Sequence, residues 1–123
     1  MPGSDVFFDT NILLYLVSGD TSKASRAEEL LASRGVISVQ VLNEFVAVAV
    51  RKAALEFHEI REILSTIRGL CTVRPMDIGT HDRALDLAEQ RHFSIYDALI
   101  IAAALQAECT ILLYRGFTAQ SEN

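Results

Sequence analysis

"VFFDTNILLYLV", residues 6–17, decides how the chain is read. It holds a single charge, Asp9, with two further polar side chains, Thr10 and Asn11, and apolar runs on both sides. "DVFF" (5–8) is a short β-rich run and "NILLYLV" then takes helical spacing. A carboxylate between a buried strand and a helix has two readings. Asp is a favoured N-cap. In open α/β sheets, though, ligands bind outside the carboxyl ends of the strands, which is where Asp9 would stand.

Outward from there, strands and helices alternate. "TSKASRAEELLAS" (21–33) is an amphipathic helix that Gly35 stops, and "VIS" (36–38) is a second strand. "VQVLNEFVAVAVRK" (39–52) and "FHEIREILSTIR" (57–68) read as helices, and "CTVR" (71–74) as a third strand ended by Pro75. "THDRALDLAEQ" (80–90) is a helix with Thr80 as N-cap. "SIYDALIIAAALQAE" (94–108) is another, and "TILLY" (110–114) is a fourth strand. Short apolar strands separated by helices imply a mainly parallel sheet covered on both faces. Neither a repeat nor a linker interrupts the pattern. One α/β domain spanning residues 1–123 is expected, with 114–123 as an atypical or truncated tail.

Bulk composition narrows the function. The chain has 123 residues, enough for a real core, and half of them are hydrophobic. A net charge of −5 argues against a general nucleic-acid coat protein, but leaves a nucleic-acid enzyme with bound cations open. Cys71 and Cys109 have no ligand partner at zinc spacing, and two lone cysteines without a leader predict a reducing cytoplasm. The longest apolar run, "ALIIAAAL" (98–105), is far short of the ~20 residues that span a membrane. Gly3–Ser4 have the composition of a fusion scar. There is no Ser/His/Asp order, Walker loop or G-x-G-x-x-G. His58 and His92 fall on solvated helix faces, and His81 in a first helical turn is a weak base candidate.

Three acids stand out by position: Asp9 after the first strand, Glu44 within an apolar helix, and Asp97 in the first turn of another. Each has an ordinary alternative. Asp9 caps a helix, Asp97 completes an S-x-x-D capping pattern with Ser94, and Glu44 lies on a solvated stripe. On a helical wheel the apolar residues of 39–52 fill roughly 200°, twice what one core needs. That width fits either a second contact, such as a dimer partner, or deep burial. Together the acids can share one sheet edge. Three neighbouring carboxylates raise one another's pKa, and the usual remedy is a hard divalent cation, Mg²⁺ or Mn²⁺. Such an ion acidifies a bound water, which makes phosphodiester hydrolysis the natural chemistry.

"VFFDTNILLYLV", "SVQVLNEFV" and "FSIYDALIIAAALQAECTILL" resemble the three signature blocks of PIN-domain proteins, and most of all the VapC-type toxins of toxin–antitoxin pairs. The resemblance runs from about Asp5 to Leu113. It implies a PIN-like three-layer α/β/α fold with about four to five short strands. It also implies Mg²⁺- or Mn²⁺-dependent endoribonuclease activity, a homodimer and neutralisation by a VapB-like antitoxin. By the same resemblance, Asp9, Glu44 and Asp97 match the metal-binding acids, Asn11 the support of the first acid, and Ser94 the residue before the third. The chain departs from the family at "YRGF" (114–117). There Gly116 occupies the fourth-acid position and Arg115 stands where a further acid would be. Glu108 occupies a turn where the family often has glycine. These departures leave an alternative: a PIN scaffold that binds an antitoxin-like partner or RNA without efficient cleavage. A phosphatase using Asp9 as nucleophile ranks below both, because Asn11 replaces the second acid of a D-x-D pair. Arg51, Lys52, Arg68, Arg74, Arg83, Arg91 and Arg115 are candidate rim cations for RNA, and the sequence singles out none of them.

Overall fold

The structure, a computed structural model, describes residues 5–114 with their side chains and the backbone of 117–120. Arg115 and Gly116, the departures just noted, lie outside the described residues, as do Gly3 and Ser4. Strand β1 (Val6–Phe8) occupies the middle of a five-stranded sheet of order β3-β2-β1-β4-β5, with β2 at Gly35–Ser38, β3 at Cys71–Arg74, β4 at Ile111–Tyr114 and β5 at Phe117–Gln120. The first four strands are mutually parallel and β5 pairs antiparallel with β4. β1 sits at the switch in strand order: the chain moves outward through β2 and β3, then returns to β4 on the other side. Val6, Phe7 and Phe8 stand opposite Ile111, Leu112 and Leu113.

Burial explains the strands. Phe7, Phe8 and Ile37 have no solvent exposure, and all four residues of β2 are buried. Between the strands run α1 (Thr10–Leu14), a 3₁₀ turn (Tyr15–Val17), α2 (Thr21–Ala32), α3 (Val39–Lys52), α4 (Phe57–Leu70), α5 (Ile78–Arg91) and α6 (Ile95–Gln106). The architecture is the α/β arrangement expected, with a parallel central sheet. The helical run after Asp9 is shorter than its spacing implied, because it tightens to 3₁₀ at Tyr15.

α6 is apolar all round because it is covered on two sides. Ile100, Ala103 and Ala104 join the main core, while Ala98 and Ala102 pack with Ala84 of α5 in a second cluster. On α3, Val41, Phe45 and Ala49 are fully buried, but Val39 and Val50 remain 41% exposed. The wide apolar arc of that helix is therefore only partly used inside this chain.

Two local expectations are corrected. The N-cap of α5 is Asp77, three residues before the expected cap at Thr80. Its Oδ1 accepts from the Thr80 N–H at 3.0 Å, and Thr80 Oγ1 accepts from the Asp77 N–H at 3.2 Å. Thr80 is thus the inner half of a capping box, and its buried hydroxyl reaches Gln106 Oε1 on α6 at 2.5 Å. Gly35 does not end α2: the left-handed residue is Arg34 (φ 69°), and Gly35 opens β2. Its role is clearance, since a Cβ there would lie 2.6 Å from Phe8 Cε2 and 2.9 Å from the Val6 carbonyl. Within the stretch expected as an atypical or truncated tail, 117–120 form β5 on the sheet's edge, the fifth of the four to five strands expected.

Gly35→Ala should overpack β1 against β2. We expect it to cost about 1–3 kcal/mol, read as a melting temperature lowered by several degrees while the isosteric surface change Ser65→Ala leaves it unmoved.

Candidate active site

β1 delivers Asp9 to the carboxyl edge of the sheet. Its backbone N–H continues the ladder by donating to the Leu113 carbonyl at 2.9 Å, and its side chain caps α1. Oδ1 accepts from the Thr10 N–H at 2.6 Å, and Oδ2 accepts from Asn11 Nδ2 at 3.1 Å. Asp9 is therefore a helix cap in fact, but one whose carboxylate also faces a cleft. Burial raises its pKa above the ordinary aspartate value. The Asn11 and Thr10 hydrogen bonds oppose that rise, and the charges of Glu44 and Asp97 add to it.

β2 ends at Ser38, whose hydroxyl caps α3 by accepting from the Val41 N–H at 3.4 Å. That start sets Glu44 half-buried on the face turned to α1. Thr10 Oγ1 donates to Glu44 Oε1 at 2.6 Å, and Gln40 Nε2 donates to Oε2 at 3.1 Å. Asp97 enters from α6, where its N–H donates to the Ser94 hydroxyl at 3.1 Å. Its carboxylate is exposed and takes part in no hydrogen bond among the described residues.

All three acids line one open cleft of about 720 Å³. The chain order places it at the β1/β4 switch, where Leu112 and Tyr114 of β4 also contribute. The rest of the wall is apolar or aromatic, with Phe93 and Tyr96 beside Asp97. None of the lining residues is Lys, Arg or His, so nothing in that wall neutralises three carboxylates. That donor set is chemically suited to a hard cation: oxygen only, with Asp9's pKa raised by burial first and by the charges of Glu44 and Asp97 in addition. As placed, no three acidic, histidine or cysteine side chains among the described residues converge on a single ion position. Mg²⁺ keeps several waters and takes only one or two carboxylates directly, so residues on one cleft need not all touch it.

The candidate rim cations stand apart from this wall. Arg51 and Lys52 are exposed at the C-terminal end of α3, and Arg68, Arg74, Arg83 and Arg91 are exposed elsewhere. His58, His81 and His92 are all exposed and outside the cleft; His58 lies 3.4 Å from Glu56, and His92 is the left-handed C-cap of α5. Both cysteines are buried.

The PIN domain pattern matches residues 6–116 of this sequence. The chain belongs to the PIN-domain family. No curated protein matches it significantly by sequence. Among solved structures, this PIN domain superposes on a chain of a toxin–antitoxin complex from Klebsiella pneumoniae with a TM-score of 0.69 and 24% identity, covering 89% of this chain and 85% of that one. It superposes equally, at 0.69 and 19% identity, on VapC20 of Mycobacterium tuberculosis, a toxin that cleaves the sarcin–ricin loop; 87% of this chain and 86% of that one are covered. At these identities the likeness establishes the shared PIN fold.

Residues that the sequence did not assign a role now have positions in the site. Thr10 touches both Asp9 and Glu44, Gln40 holds Glu44, and Phe93, Tyr96 and Tyr114 wall the cleft. The only hint for the aromatics was the adjacency of Tyr96 to Asp97.

The raised Asp9 pKa predicts a pH signature in stability. Below the ordinary value of 3.8 the carboxyl is protonated folded or unfolded. As pH rises past it, the unfolded chain loses the proton first, so the fold loses stability until Asp9 ionises in the native state as well. In metal-free buffer, Asp9→Asn should therefore melt higher than wild type at neutral pH. The margin should close as the pH approaches 3.8. Thermal melts across that range check it.

Proposed function

We propose that this PIN domain is the toxin nuclease of a VapBC-like toxin–antitoxin pair, a Mg²⁺- or Mn²⁺-dependent endoribonuclease. The observation that carries the reading is the meeting of Asp9, Glu44 and Asp97, from three separate elements, in one cleft without a compensating cation. The likeness in fold to two toxin structures supports the toxin assignment.

On this reading the three carboxylates hold the ion. When bound, the ion supplies charge for phosphate oxygens and lowers the pKa of an attacking water. Asp9 and Glu44 are oriented by hydrogen bonds to Thr10, Asn11 and Gln40, whereas exposed Asp97 is free to adjust. Without a cation the cleft repels a polyanion, so RNA engagement and metal loading go together. Phe93, Tyr96 and Tyr114 are 41%, 66% and 38% exposed and offer open ring faces beside the acids. Single-stranded RNA presents unstacked bases to such faces. A VapB-like antitoxin would silence the protein by occupying the same cleft, and a second copy is a candidate cover for Val39 and Val50.

A second reading keeps the scaffold as a binding module with impaired catalysis. The glycine at position 116 and the absence of a tight three-acid cluster among the described residues favour it.

RNA cleavage by wild type is expected with Mg²⁺ or Mn²⁺, lost on EDTA addition and lost in Asp9→Asn. Cleavage indifferent to both would sink the nuclease reading. Activity appearing only in Gly116→Asp would establish the impaired module instead. For the aromatic wall, Tyr96→Ala should raise KM about tenfold with kcat retained, since stacking is worth about 1–3 kcal/mol per base. Tyr96→Phe should match wild type in steady-state kinetics on an unstructured oligonucleotide.

A further inference from the structure

Both carboxylate oxygens of Glu44 accept hydrogen bonds within the protein, one from Thr10 Oγ1 and one from Gln40 Nε2. A carboxylate only accepts, so Glu44 dictates which end of the Gln40 amide faces it. The amide NH₂ turns to Glu44, and Gln40 Oε1 is left buried without a hydrogen-bond partner among the described residues. An ordinary i,i+4 pair on a solvated helix face leaves that carbonyl in water. Here it is shut away, which destabilises the fold. The arrangement makes sense where the orientation of Glu44 matters more than the comfort of Gln40.

We propose that Gln40 is a positioning residue that, with Thr10, clamps Glu44 in register with Asp9. The proposal rests on the metal-nuclease reading above. Thr10 is the shared reference. Only 6% exposed, it gives its N–H to Asp9 Oδ1 and its hydroxyl to Glu44 Oε1. Two like charges from β1 and α3 are thereby tied to one residue, and the Gln40 amide closes the remaining freedom of the Glu44 side chain. Repulsion between Asp9 and Glu44 would otherwise swing the longer side chain away. Groups in such supporting positions typically govern 10–100-fold in metal affinity or activity.

Gln40→Met keeps the side chain's length and removes the amide. One charge-assisted bond is lost and one unsatisfied buried acceptor goes with it, so the two effects offset. The metal-free melting temperature should stay within about 4 °C of wild type. Mn²⁺ affinity, measured by calorimetry, should fall about tenfold or more, and RNA cleavage should lose kcat rather than gain KM. Thr10→Val should behave alike, and Thr10→Ser should restore both properties. The Thr10→Val/Gln40→Met pair should be less than additive, because both act through Glu44. If Gln40→Met fails to fold, the Thr10→Val and Thr10→Ser comparison decides the clamp by the same readouts. The proposal is overturned if Gln40→Met leaves Mn²⁺ affinity and kcat unchanged in a wild type that has both. It is equally overturned if the variant melts more than about 8 °C lower with its affinity intact, which is the signature of a structural filler. A wild type that neither binds Mn²⁺ nor cuts RNA would instead bring down the nuclease reading itself, and the positioning role with it.

Discussion

Everything at the cleft depends on where β1 sits. Phe7 and Phe8 are fully enclosed, and the ladder continues one residue past the strand through the Asp9 N–H to the Leu113 carbonyl. The carboxylate that follows cannot retreat into solvent without breaking either the ladder or the start of α1. Being central, β1 also has neighbours on both sides. β2 leads through Ser38 into α3 and places Glu44, while β4 runs alongside and ends in Tyr114. The reversal of strand order opens a gap between the helices there. The site is a consequence of that topology, since its residues come from separate stretches that only the sheet brings together.

α6 shows how the same residues serve fold and site. A helix apolar all round must be covered all round, and α6 is packed between the main core and α5. Its polar content is pushed to its ends: Ser94 and Asp97 at the start and Gln106 at the finish. Gln106 locks to Thr80 of α5, and Asp97 lines the cleft. A carboxylate in the first turn also meets the positive end of the helix dipole. The Asp97 carboxylate closes no capping box with Ser94, so the helix dipole alone and chemistry alone both account for it locally. Its position across the cleft from Asp9 and Glu44 is what joins it to them.

Much of this was legible in the residue order, and the reasons are physical. Short enriched runs such as "DVFF", "CTVR" and "TILLY" bounded by turn residues mark short strands separated by helices, so the parallel α/β arrangement followed. The positions of the three acids were legible because a strand end and a helix start are local features. The contacts of Thr10 and Gln40 were not. Thr10 and Glu44 lie 34 positions apart, and their bond exists only once α1 packs on α3. β5 was not placed from its own residues, because a four-residue edge strand, Phe117–Gln120, draws its pairing from β4 and carries too short a pattern of its own. The Thr80 cap was misplaced since "DIGT" carries both halves of a capping box, and the outer half, Asp77, is the one that begins the helix. Arg34, at φ 69°, holds a left-handed position with a side chain that gives no hint of it, whereas the left-handed turn at Glu108 (φ 61°) falls where the resemblance already pointed to a glycine.

The electrostatics of the cleft joins these threads. Holding the Asp9 carboxylate half out of water beside two others and no cation is costly to the fold: burial is the main cause of its raised pKa, and the charges of Glu44 and Asp97 add to it. Hydrogen bonds from Thr10, Asn11 and Gln40 offset part of that cost and also prevent relaxation, because they hold Asp9 and Glu44 where they repel. On the nuclease reading, the repulsion is what makes a cation bind, and the loaded ion reverses the field that an approaching phosphate meets. On the same reading, stacking on the ring faces of Phe93, Tyr96 and Tyr114 would add to the affinity that the metal-loaded cleft supplies. Charge would then govern chemistry, and stacking would govern which strand stays long enough to react.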